Sequence, residues 1–203
     1  MRTLIFIVVS TILFASCGNK TLETCNQGLK VDLSTLNIAN SVVPSSILVT
    51  NFDKSIKAGT PLVRMSQQQL KDIVLAYKTL AFISSDGYSQ LIFLEKAGSI
   101  SGEAHFNEDV KVCFESAFRV GCSDWRNFIW SIGFREKLAE LHYTYAFIND
   151  AKLKQFDIAR QEYQLLITDF STSFWAEQAK MALEVLGKTD EEILAAFKAK
   201  NKM

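Results

Sequence analysis

Among 203 residues there are only two prolines and nine glycines. So few chain-breaking residues exclude a turn-rich sandwich and favour helices. Net charge of one sign is also missing, because 22 basic residues balance 22 acidic ones. A balanced chain has no long-range field to gather nucleic acid, and no Lys/Arg cluster is interleaved with aromatics as a nucleic-acid platform requires. Catalytic spacing is absent as well: there is no H-E-x-x-H, no C-x-x-C and no glycine-rich phosphate cradle. Gly98-Ser99-Ile100-Ser101-Gly102 has the outline of the hydrolase elbow, but Ile100 stands where the nucleophile belongs. Of the two histidines, His142 shares a helix with Glu136 and Glu140 at no metal-ligand spacing, and reads as a packed residue beside a solvated acidic face. The expectation is a chain with no metal, no cofactor and no enzymatic activity.

What is present is concentrated first at the start. Arg2 is followed by an apolar run from Leu4 to Phe14, interrupted only by Ser10 and Thr11, and then by Ala15, Ser16 and Cys17. The run is too short for a spanning helix, which needs ~20 apolar residues. A basic start, an apolar core and small residues before a cut site form the layout of a secretory signal. With a cysteine at the cut, residues 1–17 resemble a bacterial lipoprotein signal, Phe14 standing where leucine is usual. The resemblance implies that residues 1–16 are removed and that Cys17 is acylated, palmitate included, as the new N-terminus. The protein would then be tethered in the bacterial cell envelope, on the periplasmic side of the outer membrane. Two or more acyl chains give a stable anchor where one does not. Ordinary cleavage with an unmodified cysteine is the alternative.

Setting Cys17 aside leaves Cys25, Cys113 and Cys122. A bond between Cys113 and Cys122 is disfavoured if both lie on one helical path, about 13 Å apart in rise, because a disulfide needs Cα atoms within about 7 Å. Cys25 pairing with either, or three unpaired cysteines, both remain open.

Residues 17–65 read as a tether and a poorly defined linker. Pro44-Ser45-Ser46 reads as a break, Ile47-Leu48-Val49 as a short extended piece, and Lys57 to Pro61 as loop. Residues 66–203 carry helical periodicity. Ser66 with Gln69, and Thr189 with Glu192, are capping boxes. Between them the spacing predicts a helix carrying Leu70, Ile73, Val74, Tyr77 and Ala81, and a shorter one from Tyr88 to Ala97 closed by a loop at Gly98–Gly102. Another opens at Asn107 and ends near Gly121. Ser123 then caps a helix with Trp125, Phe128, Ile129 and Ile132 on one face, and a break is expected at Gly133. Trp130 and Phe134 fall on a second face, either as core or, if exposed, with Trp130 as a partner anchor.

The residues from Leu138 to Leu186 add a more specific pattern. Ala146 stands at a small position in a first helix. Phe156, Ala159 and Tyr163 follow as aromatic, small, aromatic in a second, and Asp169-Phe170-Ser171-Thr172-Ser173 forms a turn before Ala176. This run resembles the tetratricopeptide repeat of bacterial envelope lipoproteins, over about one and a half repeats. Ser171 replaces the usual proline, and no tryptophan occupies the first helix's aromatic position. The resemblance implies an all-α fold of antiparallel helix pairs stacked as a short solenoid, with an ordinary helical bundle as the alternative. It further implies a scaffold binding an envelope protein or peptide, with Tyr143 and Tyr145 projecting from first helices. The alternative function is a structural lipoprotein that self-associates without a separate ligand.

Overall fold

The helix starts marked by the two capping boxes are where helices begin. The computed structural model describes residues 45–57, 59, 61–128 and 132–200, with backbone alone for 122–128, 132–134, 190, 196, 197 and 200. Among the described residues the chain is all-α, with no strand. The elements are α1 (Ser45–Lys57), a 3-10 turn (Leu62–Arg64), α2 (Gln67–Ile83), α3 (Gly87–Glu103), α4 (Asn107–Phe128), α5 (Ile132–Phe147), a π-helical turn (Ile148–Lys152), α6 (Phe156–Asp169), α7 (Phe174–Val185) and α8 (Asp190–Lys200). Ser66 accepts from the Gln69 amide while the Gln69 side chain accepts from the Ser66 amide. The Thr189–Glu192 pair does the same at α8. Both boxes satisfy amides that the first helical turn leaves without partners.

Helices α1 to α4 pack each against the next. Val49 and Phe52 of α1 join Leu70, Ile73, Val74 and Tyr77 of α2, with Ala97 and Ile100 of α3 and Cys113 of α4. The expected extended piece at Ile47-Leu48-Val49 is therefore helical, and α1 packs within the stretch read as linker. Its apolar residues Leu48, Val49 and Phe52 are spaced to meet α2, a stripe too short to stand out without that partner. Asp53 pins the contact. It accepts from the Tyr77 hydroxyl at 2.6 Å and pairs with Lys96 at 3.1 Å, tying α1 to α2 and α3. Lys78, itself buried, donates to Asp109 at 2.9 Å and ties α2 to α4.

Two further expectations are corrected at glycines. Gly98 to Gly102 is not a loop, because α3 runs through it to Glu103. Nor does Gly121 end α4, which continues to Phe128. Each glycine sits where another side chain presses on the backbone. A Cβ on Gly98 would lie 2.5 Å from the Phe114 ring, one on Gly102 2.6 Å from Ile148, and one on Gly121 2.5 Å from Leu138. Bare backbone here permits close helix approach, and the packing outweighs the ~1 kcal/mol helix cost of glycine. The helix proposed to start at Ser123 is thus the end of α4. Gly133, where a break was expected, lies inside α5.

Because α4 spans both Cys113 and Cys122, those two cysteines are separated by ~13 Å of helix rise. Cys113 is a free, buried thiol whose pKa burial pushes up to about 12. Cys25 lies outside the described residues.

Candidate partner-binding surface

The C-terminal helices are positioned by short side chains and by two polar clasps. Ala146 of α5 and Ala159 of α6 are fully buried, as is Tyr163 one turn further along α6. Short side chains let these helices approach closely. Helix α7 packs against both α5 and α6. Ser173 caps it by accepting from the Ala176 amide at 3.1 Å, and Glu136 reaches across from α5 to accept from the Phe174 amide at 3.1 Å. A carboxylate at that end also suits the helix dipole. Arg135 beside it donates to the Asp169 carbonyl at 2.9 Å, holding the end of α6. Glu136, expected on a solvated face, thus serves the α6–α7 turn.

These clasps fix Trp175 against Tyr143. Their rings are 5.0 Å apart, Tyr143 also lies 5.7 Å from Tyr163, and Phe174 meets Trp175 edge-on at 5.2 Å. Tyr143 and Trp175 are half-buried, whereas Phe174 is 61% and Phe147 46% exposed. Phe147 stands one turn along α5 from Tyr143, on the same side. The result is an aromatic surface shared by α5 and α7, with a half-buried inner edge and accessible outer rings. Burial, together with the nearby Asp150 carboxylate, raises the Tyr143 hydroxyl above its ordinary pKa. Burial likewise raises Asp150 above the usual carboxylate range, against the opposing pull of Lys154. Such a surface supplies contact area and a few polar handles; it has no nucleophile paired with a base.

Tyr145 is placed differently. Two residues from Tyr143, it points to the other side of the helix, is 6% exposed, and stacks on Phe114 at 5.1 Å. Its ring belongs to the core between α4 and α5, not to the surface where a partner was expected to meet it. Trp130 and Cys17 lie outside the described residues, and the side chains of the expected Trp125–Phe128–Ile132 face are not described. His142 is buried, stacks on Phe118 at 4.1 Å, and has Nδ1 2.7 Å from Glu162 Oε2. Sequence reasoning missed Phe174, Trp175 and Phe147 as site residues. The usable signal was the serine cap at Ser173, which places the first two residues of α7 beside the preceding helix pair.

A concavity of about 380 Å³ lies between α2 and α4, lined by Lys71, Val74, Lys78, Glu108, Asp109 and Val112. Lys78 and Asp109 satisfy one another there. No group of His, Cys, Asp and Glu among the described residues is arranged to hold a metal ion, and no described helix is long and apolar enough to cross a membrane. Comparison with family models, with curated proteins and with solved structures gave no match.

Proposed function

We propose that this chain is a lipid-anchored protein of a bacterial cell envelope, built as a short tetratricopeptide-like stack. In this reading it acts as a scaffold that binds a segment of another envelope protein across α5 and α7. The observation that carries the binding role is the Tyr143–Trp175 contact at 5.0 Å with Phe147 and Phe174 exposed beside it. Large, rigid aromatic side chains ordered in advance lose little entropy on binding and are enriched where binding energy concentrates. The stacked reading is supported by fully buried Ala146 and Ala159 and by the docking of α7 on both preceding helices. In a repeat stack α5 and α7 are successive first helices, which line one face. The anchor reading rests on residues 1–17 alone.

Affinity capture from detergent-solubilised native membranes tests the binding role. Wild type is expected to retain one envelope protein at a fixed ratio, and a Phe147→Ala/Trp175→Ala variant with unchanged helical circular dichroism is expected to lose it. Equal retention by both chains would refute the assignment of this surface.

A further inference from the structure

Exposed apolar side chains gather at one end of the N-terminal helices. Phe82 and Ile83 close α2 at 50% and 66% exposed, Tyr88 opens α3 at 48%, and Ile47 in the first turn of α1 is 55% exposed. The turn between α2 and α3 is fixed. The Ser89 amide donates to Asp86 at 2.8 Å, and the Gln90 side chain donates to the Ser84 carbonyl at 2.7 Å.

Ile47 belongs to the same end because α1 runs antiparallel to α2. Helical side chains lean toward the N-terminus of their own helix, so the Tyr77 hydroxyl lies nearer the start of α2 than its ring does. Phe52 meets that ring with centroids 6.2 Å apart, and Asp53, one residue further along α1, meets the hydroxyl at 2.6 Å. Progress along α1 is thus progress toward the start of α2. The connection agrees: the Gly59 amide donates to the Ile56 carbonyl, and the Arg64 and Met65 amides donate to those of Pro61 and Leu62, folding the chain back over a short path. Ser45 consequently lies beside the end of α2, and the chain enters the described helices next to Ile83.

This end is also poor in charge. From Ser45 to Phe52 and from Thr79 to Leu94 the one charged residue is Asp86, whose carboxylate caps α3. Lys54, Lys57 and Arg64 stand toward the opposite end of α1 and α2. An ordered, apolar tip with a tyrosine at its margin suits the boundary of a lipid layer, where such rings sit at headgroup level. The chain itself leads there, since residues 18–44 join this end to Cys17.

We propose that the end formed by Ile47, Phe82, Ile83 and Tyr88 rests in the interfacial layer of the membrane that holds Cys17. The proposal rests on the anchor reading and is independent of partner binding at α5 and α7. A tethered chain makes this contact as an intramolecular event, so a few apolar side chains are enough to orient the helices on the surface. With no basic residue in these two stretches, the contact needs no anionic lipid.

Photo-crosslinking of the full chain, isolated from its native membranes and reconstituted in phosphatidylcholine vesicles, tests this. A photoreactive side chain replaces Tyr88 in one preparation and Val63, exposed at the opposite end, in another. Lipid adducts are expected from position 88 and not from position 63, at a yield unchanged by high salt or added phosphatidylglycerol. Adding Ile83→Asp, at an exposed side chain, is expected to cut the yield at position 88 severalfold while helical circular dichroism stays the same. The intact mass of the same preparations reads the acyl groups on Cys17. Acylated protein with no lipid adduct, equal adducts from both positions, a yield that falls with salt or ignores Ile83→Asp, or a crosslink to a second copy in place of lipid would each overturn the proposal and leave the anchor standing. An unacylated Cys17 would overturn both.

Discussion

Replacing Gly98 with alanine should destabilise the protein although alanine is the better helix former. In α3 the substitution gains ~1 kcal/mol of intrinsic helix propensity. Against this, the new methyl would lie 2.5 and 2.7 Å from two carbons of the Phe114 ring. The ring has little room to withdraw, since Phe114 is fully buried, stacked on Tyr145 at 5.1 Å and close to Phe118 at 6.3 Å. Overpacking of this kind costs ~1–3 kcal/mol, so the net loss is about 0–2 kcal/mol. The decisive quantity is the coupling. In a Phe114→Leu background the obstructing ring edge is gone, and Gly98→Ala should become neutral or stabilising by up to ~1 kcal/mol. Urea denaturation of the four chains of that cycle measures the term directly. A coupling energy near zero would refute the close α3–α4 contact.

Other consequences follow from particular side chains. Ser101, fully buried in α3, has a hydroxyl with no hydrogen-bond partner among the described residues. Ser101→Ala should therefore raise stability by ~1 kcal/mol in denaturant titration, whereas a loss of similar size would mean that the hydroxyl is satisfied. Burial alone would raise the Asp53 carboxyl, but hydrogen bonds from Tyr77 and Lys96 outweigh it and hold Asp53 below its ordinary 3.8. Its stabilisation is fully present above pH 3.8 and is lost as pH falls through the lowered value, so Asp53→Asn should flatten the acid limb of a stability–pH curve. An unchanged acid limb would contradict the Asp53–Tyr77–Lys96 arrangement. If Cys17 is acylated, the intact mass of protein from native membranes carries the added acyl groups, and Cys17→Ala loses both that mass and partitioning into detergent. An unmodified, freely soluble wild type would exclude the anchor.

The sequence was most legible where local chemistry decides the structure. Ser66–Gln69 and Thr189–Glu192 act within four residues, and both boxes form. Ala146, Ala159 and Tyr163 were also readable, because a small residue between aromatics at helical spacing has few uses other than a crossing. Gly98, Gly102 and Gly121 misled for the opposite reason. Their place in a helix depends on Phe114, Ile148 and Leu138, brought in from other helices, and in isolation a glycine signals a break. Helix α1 was hidden similarly, its few apolar residues gaining meaning only against Tyr77 and Leu70. Tyr143 and Tyr145 were read as projecting together, but residues two apart point to opposite sides of a helix, and only Tyr143 lies on the aromatic surface. Trp175 could not be placed beside Tyr143 without the Glu136 clasp, a contact between residues 38 apart.

Site-specific photo-crosslinking in intact cells tests the proposed binding role most directly. A photoreactive residue replaces Phe147 in one chain and Val63, exposed in the turn before α2, in another. The account predicts one discrete adduct with an envelope protein from position 147, none from position 63, and loss of the first when Trp175→Ala is added. Adducts of equal yield from both positions, or none from position 147, would contradict binding across α5 and α7.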